Sequence, residues 1–418
     1  MLAGIVERLN RHGGHPGAAS AGSGYGAISA KRRCNFAGKL VGSDLSAEER
    51  VGVRGTVRTK DHVAQRSIPG RRVSNGPDPR AKTPLGQEIG RDDLRGPLTL
   101  AKAGSLRETM PTQSFLAVSP EVSDALASGG AVVALESTII THGMPYPQNL
   151  QMAGEVEAIV RDAGATPATV ALMAGQIRVG LATADLEELA ETGMQAAKAS
   201  RRDVAALLTA KTTAGTTVAT TMQAADMSGI QLFATGGIGG VHRGAELSFD
   251  ISADLEELSR TPVAVVRAGA KAILDLPKTL EVLETKGVPV IGYGTEDFPA
   301  FWTRSSGLRA DRRLDTPEEV ADLLEMQFSL GLGGVLIGNP IPAGDAMEPA
   351  YIGAMIERAL KDADAAGVSG KAATPYLLKR IFELTEGKSL VSNIALVKNN
   401  ARVAAEIAVA LAARRRDA

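Results

Sequence analysis

From residue 114 onward, short apolar runs alternate with longer stretches whose apolar positions recur every three or four residues. The short runs lie at 131–135 (AVVAL), 168–173 (ATVALM), 230–234 (IQLFA), 263–266 (VAVV), 288–291 (VPVI) and 335–337 (VLI). Unbroken runs of this length, rich in β-branched residues, are the mark of strands buried on both faces. Helical spacing occupies 149–163, 317–330 and 348–366, and 389–413 reads as one long amphipathic helix. Strands alternating with helices predict βαβ units. The expected fold is α/β, with a mainly parallel or mixed central sheet covered by helices on both faces. No linker interrupts residues 110–418, so one large domain is expected there.

Residues 1–109 are a different material. They run through Gly-rich and Arg-dotted stretches without sustained periodicity, and hold 19 basic and 10 acidic side chains against 27 and 37 in the remainder. Such a segment buries too little apolar surface to offset its ordering entropy. A disordered leader is expected, with Met110 as the natural start. A transit-like peptide is the competing reading, and the acidic residues count against it.

Over the whole chain, 46 Lys+Arg nearly cancel 47 Asp+Glu, which gives no reason to expect nucleic acid or an anionic membrane as partner. A single cysteine, Cys34, excludes an internal disulfide framework and a cysteine zinc cluster. No run approaches the roughly 18 apolar residues of a membrane span, and the N-terminus lacks the apolar core of a secretory signal. A reducing, cytoplasmic setting is expected.

In an open α/β sheet, ligands bind beyond the carboxyl ends of the strands, so the loops there carry the candidate chemistry. Glu136 directly ends the first apolar run, where a buried carboxylate needs a partner or a raised pKa. It reads either as a turn or ion-pair residue or as a general acid. His142, a few residues on, reads as a structural hydrogen-bonding group. Lys198, Arg201 and Arg202 surround a hydroxyl, which suits phosphate or a solvated helix face. The hydroxyl-rich string 214–221 resembles a helix N-terminus able to hold an anion.

The glycines of 236–244 let a backbone approach a ligand, but their spacing matches neither GxGxxG nor a phosphate-binding P-loop. Asp250, Ser252 and Asp254 follow, either as an acidic first helical turn or as a site where one carboxylate holds a hard, largely hydrated cation. Lys271 lies just past the run 263–266 among small residues. It reads as a snorkelling surface lysine or as a desolvated nucleophile with the cation of Arg267 nearby. Ser392, Asn393, Asn399 and Asn400 sit at helical positions that amides occupy poorly, which points to a ligand facing them.

Taken together, the strings ALESTIITHGMPYPQN, KASRRD, GTTVATTM, FATGGIGGVHRG, FDISADL, AGAKAILD, GNPIP and SNIALVKNNA resemble the pseudouridine-5'-phosphate glycosidase family, also described as indigoidine synthase A-like. The resemblance covers roughly residues 115–413. It implies cleavage of the C–C glycosidic bond of pseudouridine 5'-phosphate to uracil and ribose 5-phosphate. Glu136 would be the proton donor, Lys271 the covalent nucleophile, and Asp250 the ligand of one manganese ion. Lys198, Val218, Ser252, Ala253, Asp254 and Asn393 match substrate-binding positions, and the implied assembly is a homotrimer. Arg267 departs from the smaller or neutral residue expected before AGAK. Two other classes stay open: a different Schiff-base enzyme acting on a sugar phosphate, and a non-catalytic nucleotide-binding or pigment-biosynthesis accessory protein. Retention of Glu136, Asp250 and Lys271 together counts against the last.

Overall fold

The computed structural model describes residues 115–417. The expectations on residues 1–109 and on a start at Met110 lie outside the described residues. Among the described residues, eleven strands form one sheet: β1 (Leu116–Val118), β2 (Val132–Leu135), β3 (Thr166–Met173), β4 (Gln176–Val179), β5 (Ala197–Ala199), β6 (Ala214–Thr216), β7 (Leu232–Ala234), β8 (Ala264–Arg267), β9 (Val290–Tyr293), β10 (Arg312–Leu314) and β11 (Val335–Gly338). The order is β1-β4-β3-β2-β7-β8-β11-β9-β10, with β6 also on β3 and β5 on β6. All pairings are parallel except β3 with β4 and β3 with β6, which are antiparallel. The sheet is therefore mixed but mainly parallel.

The central strands β2, β7, β8 and β11 are buried along their whole length, which is why their sequences lack polar alternation. The helix Lys388–Asp417 packs across β2, β7 and β8 and against the helices Gln148–Asp162 and Pro317–Ser329. The helices Val218–Ser228 and Ala253–Arg260 pack on each other, the former also against β2 and β7. Local chemistry sets several helix starts. Thr316 and Glu319 form a reciprocal capping box ahead of Pro317, and Ser252 caps Ala253–Arg260 by accepting from the Asp254 N–H.

Two neighbouring loops extend the ladder beyond its strands. The Thr235 N–H donates to Val266 O at 3.1 Å, the Ala268 N–H to Gly236 O at 3.2 Å, and the Lys271 N–H to Ile238 O at 3.3 Å. The Gly-rich loop after β7 and the AGAK loop after β8 thus run side by side at the carboxyl end of the sheet. Gly269 makes the second loop possible. Its φ is +91°, and a Cβ there would stand 1.8 Å from Pro299 O.

Candidate active site

Strand register places the acid. Leu135 of β2 pairs with Ala234 of β7, so Glu136 and Thr235 stand one step beyond the ladder on adjacent strands. The Thr235 hydroxyl donates to Glu136 Oε1. Behind the turn, the buried Ser137 hydroxyl donates to Val170 O at 2.6 Å and accepts the Thr216 N–H at 2.9 Å, which ties the residue after Glu136 to β3 and β6. Burial is the largest influence on Glu136 and pushes its pKa up. The Lys271 ammonium and the Thr235 hydrogen bond pull it back, Asp254 adds to the rise, and Lys198 opposes it.

Lys271 extends from the AGAK loop, and its Nζ donates to Gly237 O at 2.7 Å, on the loop after β7. Lys198 lies on β5, in register with Gly215 of β6. Its ammonium acts on Glu136 and helps to lower the pKa of both His142 and His242, for each of which burial is the larger cause. Glu136, Lys271, Lys198 and the two histidines therefore share one electrostatic neighbourhood, assembled from loops far apart in sequence.

Asp254 is buried and staples two elements. Its Oδ1 accepts the Ala219 N–H at 3.0 Å and its Oδ2 the Gly239 N–H at 2.8 Å. The first bond caps the helix that opens at Val218; the second holds the Gly-rich loop. Gly239 is obligatory here, because a Cβ would stand 2.3 Å from Ser252 Oγ. Ser252 caps the helix Ala253–Arg260 and Ala253 opens it, while Asp254 reaches the Gly-rich loop that runs beside the AGAK loop. Two buried oxygens, Thr217 Oγ1 and Asn393 Oδ1, have no hydrogen-bond partner among the described residues. Orphaned buried acceptors are what a bound ligand satisfies. Asn393 belongs to the same corner, since a Cβ on Gly236 would lie 3.4 Å from its Oδ1.

Other expectations resolve differently. Arg201 pairs with the buried Glu257, whose oxygens also accept from Gln223 and Thr261, and Arg202 is exposed. The arginines of KASRRD therefore serve the protein interior and the solvent, and only Lys198 of that string faces the site. The amides of the last helix mostly meet protein rather than ligand. Ser392 donates to Asp345 O and Asn399 to Pro340 O, leaving Asn393 as the open one. Arg267 is wholly buried above the Phe298 ring, 5.0 Å from its centroid, with no acceptor among the described residues for any of its three nitrogens. Burial lowers its pKa well below the usual value, and Asp254 partly offsets this. The residue the sequence reading passed over is Thr235. Its only signal was its place opposite Glu136 at the ends of two apolar runs.

Among the described residues, no group of three or more His, Cys, Asp or Glu side chains gathers as a metal cage. Asp250 is half-buried, with the depressed-pKa imidazole of His242 within electrostatic reach. One carboxylate beside a neutral imidazole fits a hard divalent ion that keeps most of its waters, and does not fit a dehydrated one.

A mainly parallel sheet whose strand ends bring together a half-buried acid, an amine and a glycine-rich loop defines an enzyme-like α/β site. The model of the indigoidine synthase A like protein family matches residues 121–410. The chain belongs to this family. It is 67% identical over 302 residues to the pseudouridine-5'-phosphate glycosidase of Sorangium cellulosum, covering 72% of this chain and 95% of the relative. It is 56% identical over 300 residues to the enzyme of that name from Staphylococcus aureus, covering 72% and 97%. Among solved structures, it matches a prealnumycin C-glycosynthase in complex with ribulose 5-phosphate with a TM-score of 0.68 and 39% identity, covering 73% of this chain and 99% of that one. An indigoidine synthase A-like protein from Thermotoga maritima matches with a TM-score of 0.65 and 32% identity, covering 71% and 97%.

Proposed function

We propose that this protein cleaves the C–C glycosidic bond of pseudouridine 5'-phosphate, giving uracil and ribose 5-phosphate, in a reversible reaction. The observation that carries the reading is the pairing of Glu136, whose burial favours the protonated carboxyl, with the Lys271 amine across the Thr235–Gly237 loop. The names of the relatives support it.

The chemistry asks for this pair. An ordinary glycosidase protonates an oxygen leaving group through one of two carboxylates. Here the leaving atom is a carbon, and two carboxylates alone serve it poorly. As Lys271 bonds to C1', the C1'–O4' bond breaks and opens the ribose ring. The ring oxygen keeps the electron pair and takes the proton that the amine releases. Glu136 then protonates uracil C5, and the C1'–C5 bond breaks. The electron pair of the broken bond goes to the new C–H bond of uracil, and the lysine nitrogen takes up the deficit at C1' as an imine. Water then hydrolyses the imine, releasing ribose 5-phosphate as the aldehyde and restoring the amine. Lys198, the N-terminus of the helix at Val218 and the turn Ser252–Asp254 would hold the ribose phosphate, and Asn393 the uracil. Asp250, with His242 beside it, would hold a manganese ion, which when bound offsets negative charge on the substrate.

The homotrimer and the cytoplasmic setting belong to the same reading; the mass of the protein in solution by light scattering tests the first. Incubation with pseudouridine 5'-phosphate and manganese, monitored for free uracil, tests the function, and the absence of uracil would overturn it. One observation favours a second reading, in which the same site makes or breaks a C-glycoside of another aromatic ring: the match to a C-glycosynthase. Turnover of pseudouridine 5'-phosphate far slower than of another C-ribosyl phosphate would favour it.

A further inference from the structure

Asn400 is completely buried in the middle of the 30-residue helix Lys388–Asp417, a position that asparagine occupies poorly. Both polar atoms of its side chain are hydrogen-bonded. The Nδ2 donates to Thr235 O at 2.8 Å, and the Oδ1 accepts from Asn339 Nδ2 at 2.9 Å. Asn339, also buried, follows β11, and its backbone N–H donates to Arg267 O at 2.7 Å. The amide has one workable orientation. Thr235 O can only accept, so Asn400 must turn its NH2 toward it, and its carbonyl oxygen is then left for the NH2 of Asn339. Every polar group of Thr235 is thereby committed: the N–H to Val266 O, the carbonyl to Asn400 and the hydroxyl to Glu136 Oε1.

We propose that Asn400 and Asn339 are positioning residues for the proton donor. They form a buried amide relay that fixes Thr235 so that its hydroxyl hydrogen always occupies Glu136 Oε1. With that oxygen engaged as an acceptor, the carboxylic proton resides on Oε2, the oxygen free to deliver it. The relay explains why the strings GNPIP and VKNNA carry amides that meet no ligand. It rests on the reading of Glu136 as the acid.

The charged groups facing Glu136 are Lys271 after β8, Lys198 on β5 and Asp254 on the helix Ala253–Arg260. Asn400 and Asn339 bear no charge, so replacing them reaches the acid only through Thr235. A positioned acid loses rate steeply when displaced, up to about a hundredfold for 1 Å. The test compares wild type, Asn400→Leu, Thr235→Val and the double variant for uracil release across pH, with melting temperatures and Glu136→Gln alongside. Asn400→Leu is expected to lower kcat about tenfold or more while KM stays within about twofold. The alkaline limb of kcat should move to higher pH, because the carboxylate loses a donor that stabilised it. In the Thr235→Val background the same change should cost nothing further. If Asn400→Leu fails to fold, Asn339→Ala, which frees the Asn400 amide to turn over, is read by the same criteria. Wild-type kcat and pH profile in these variants, or losses that multiply in the double variant, would overturn the relay. An inactive Glu136→Gln beside an unaffected Asn400→Leu sinks the relay alone; an active Glu136→Gln sinks the acid assignment and the relay together.

Discussion

Burial acts on Glu136 in its chemistry and in its contribution to the fold alike. Burial raises its pKa, so the folded state favours the neutral carboxyl. The stability it contributes is therefore complete below the ordinary carboxylate range and is lost as pH rises through the raised folded value. Glu136→Gln is a neutral isostere. It should lose turnover by about 10²- to 10⁴-fold, the range of general acid catalysis. The same variant should melt above wild type at pH 8, with the gap closing by pH 4, in paired thermal scans. Lys271 carries the complementary prediction. Lys271→Arg keeps the positive charge but has no nucleophilic amine, since a guanidinium does not deprotonate. Activity should drop by several orders of magnitude, and borohydride added during turnover should trap a ribose-phosphate adduct on the peptide containing Lys271 in wild type only. An active Lys271→Arg with no trapped adduct would return the residue to a purely electrostatic role.

At the scale of elements, the loops decide more than the strands. Gly269→Ala would combine left-handed backbone with a Cβ against a carbonyl that cannot move, and should destabilise by about 2–4 kcal/mol in chemical denaturation. The segment ending at Asp250 makes a milder prediction. Asp250→Asn should raise the manganese concentration needed for half-maximal turnover by about tenfold or more, and full turnover after chelation would exclude the ion. The six apolar runs and four long helical patterns were legible in the sequence because β2, β3, β7, β8, β9 and β11 are buried on both faces and so contain little but apolar residues. The remaining strands were not. β5 and β10 have three residues each, β10 exposes two arginines, and such short strands are specified by their neighbours more than by their own pattern. The site divides in the same way. Glu136 is visible as a charge directly after one apolar run and Lys271 as a charge in the loop after another, whereas the fate of Arg201 depends on Glu257, a partner that no local spacing reveals. Asn399 and Ser392 likewise look ligand-facing in sequence, and only packing shows that they meet backbone carbonyls.

For the whole molecule, the described sheet and helices account for every residue placed in the site. Deleting residues 1–109 should accordingly leave the melting temperature and the rate of uracil release of the remaining chain unchanged. An insoluble product, or one that melts well below the full chain, would show that the segment packs on the domain. The charge contrast along the chain motivates this prediction.

The helix that crosses β2, β7 and β8 has a bearing on how the protein is made. Glu136 leaves the ribosome before Lys271, and Asn393 and Asn400 emerge more than a hundred residues after Lys271. Lys271 thus leaves the ribosome well before the helix that packs across β2, β7 and β8 has emerged. Domains fold as units, and contacts between distant segments form late. A chain halted before residue 393 lacks Asn393 and Asn400, and with Asn400 the hydrogen bond to Thr235 O, so the corner around Thr235 is complete only once this helix has formed.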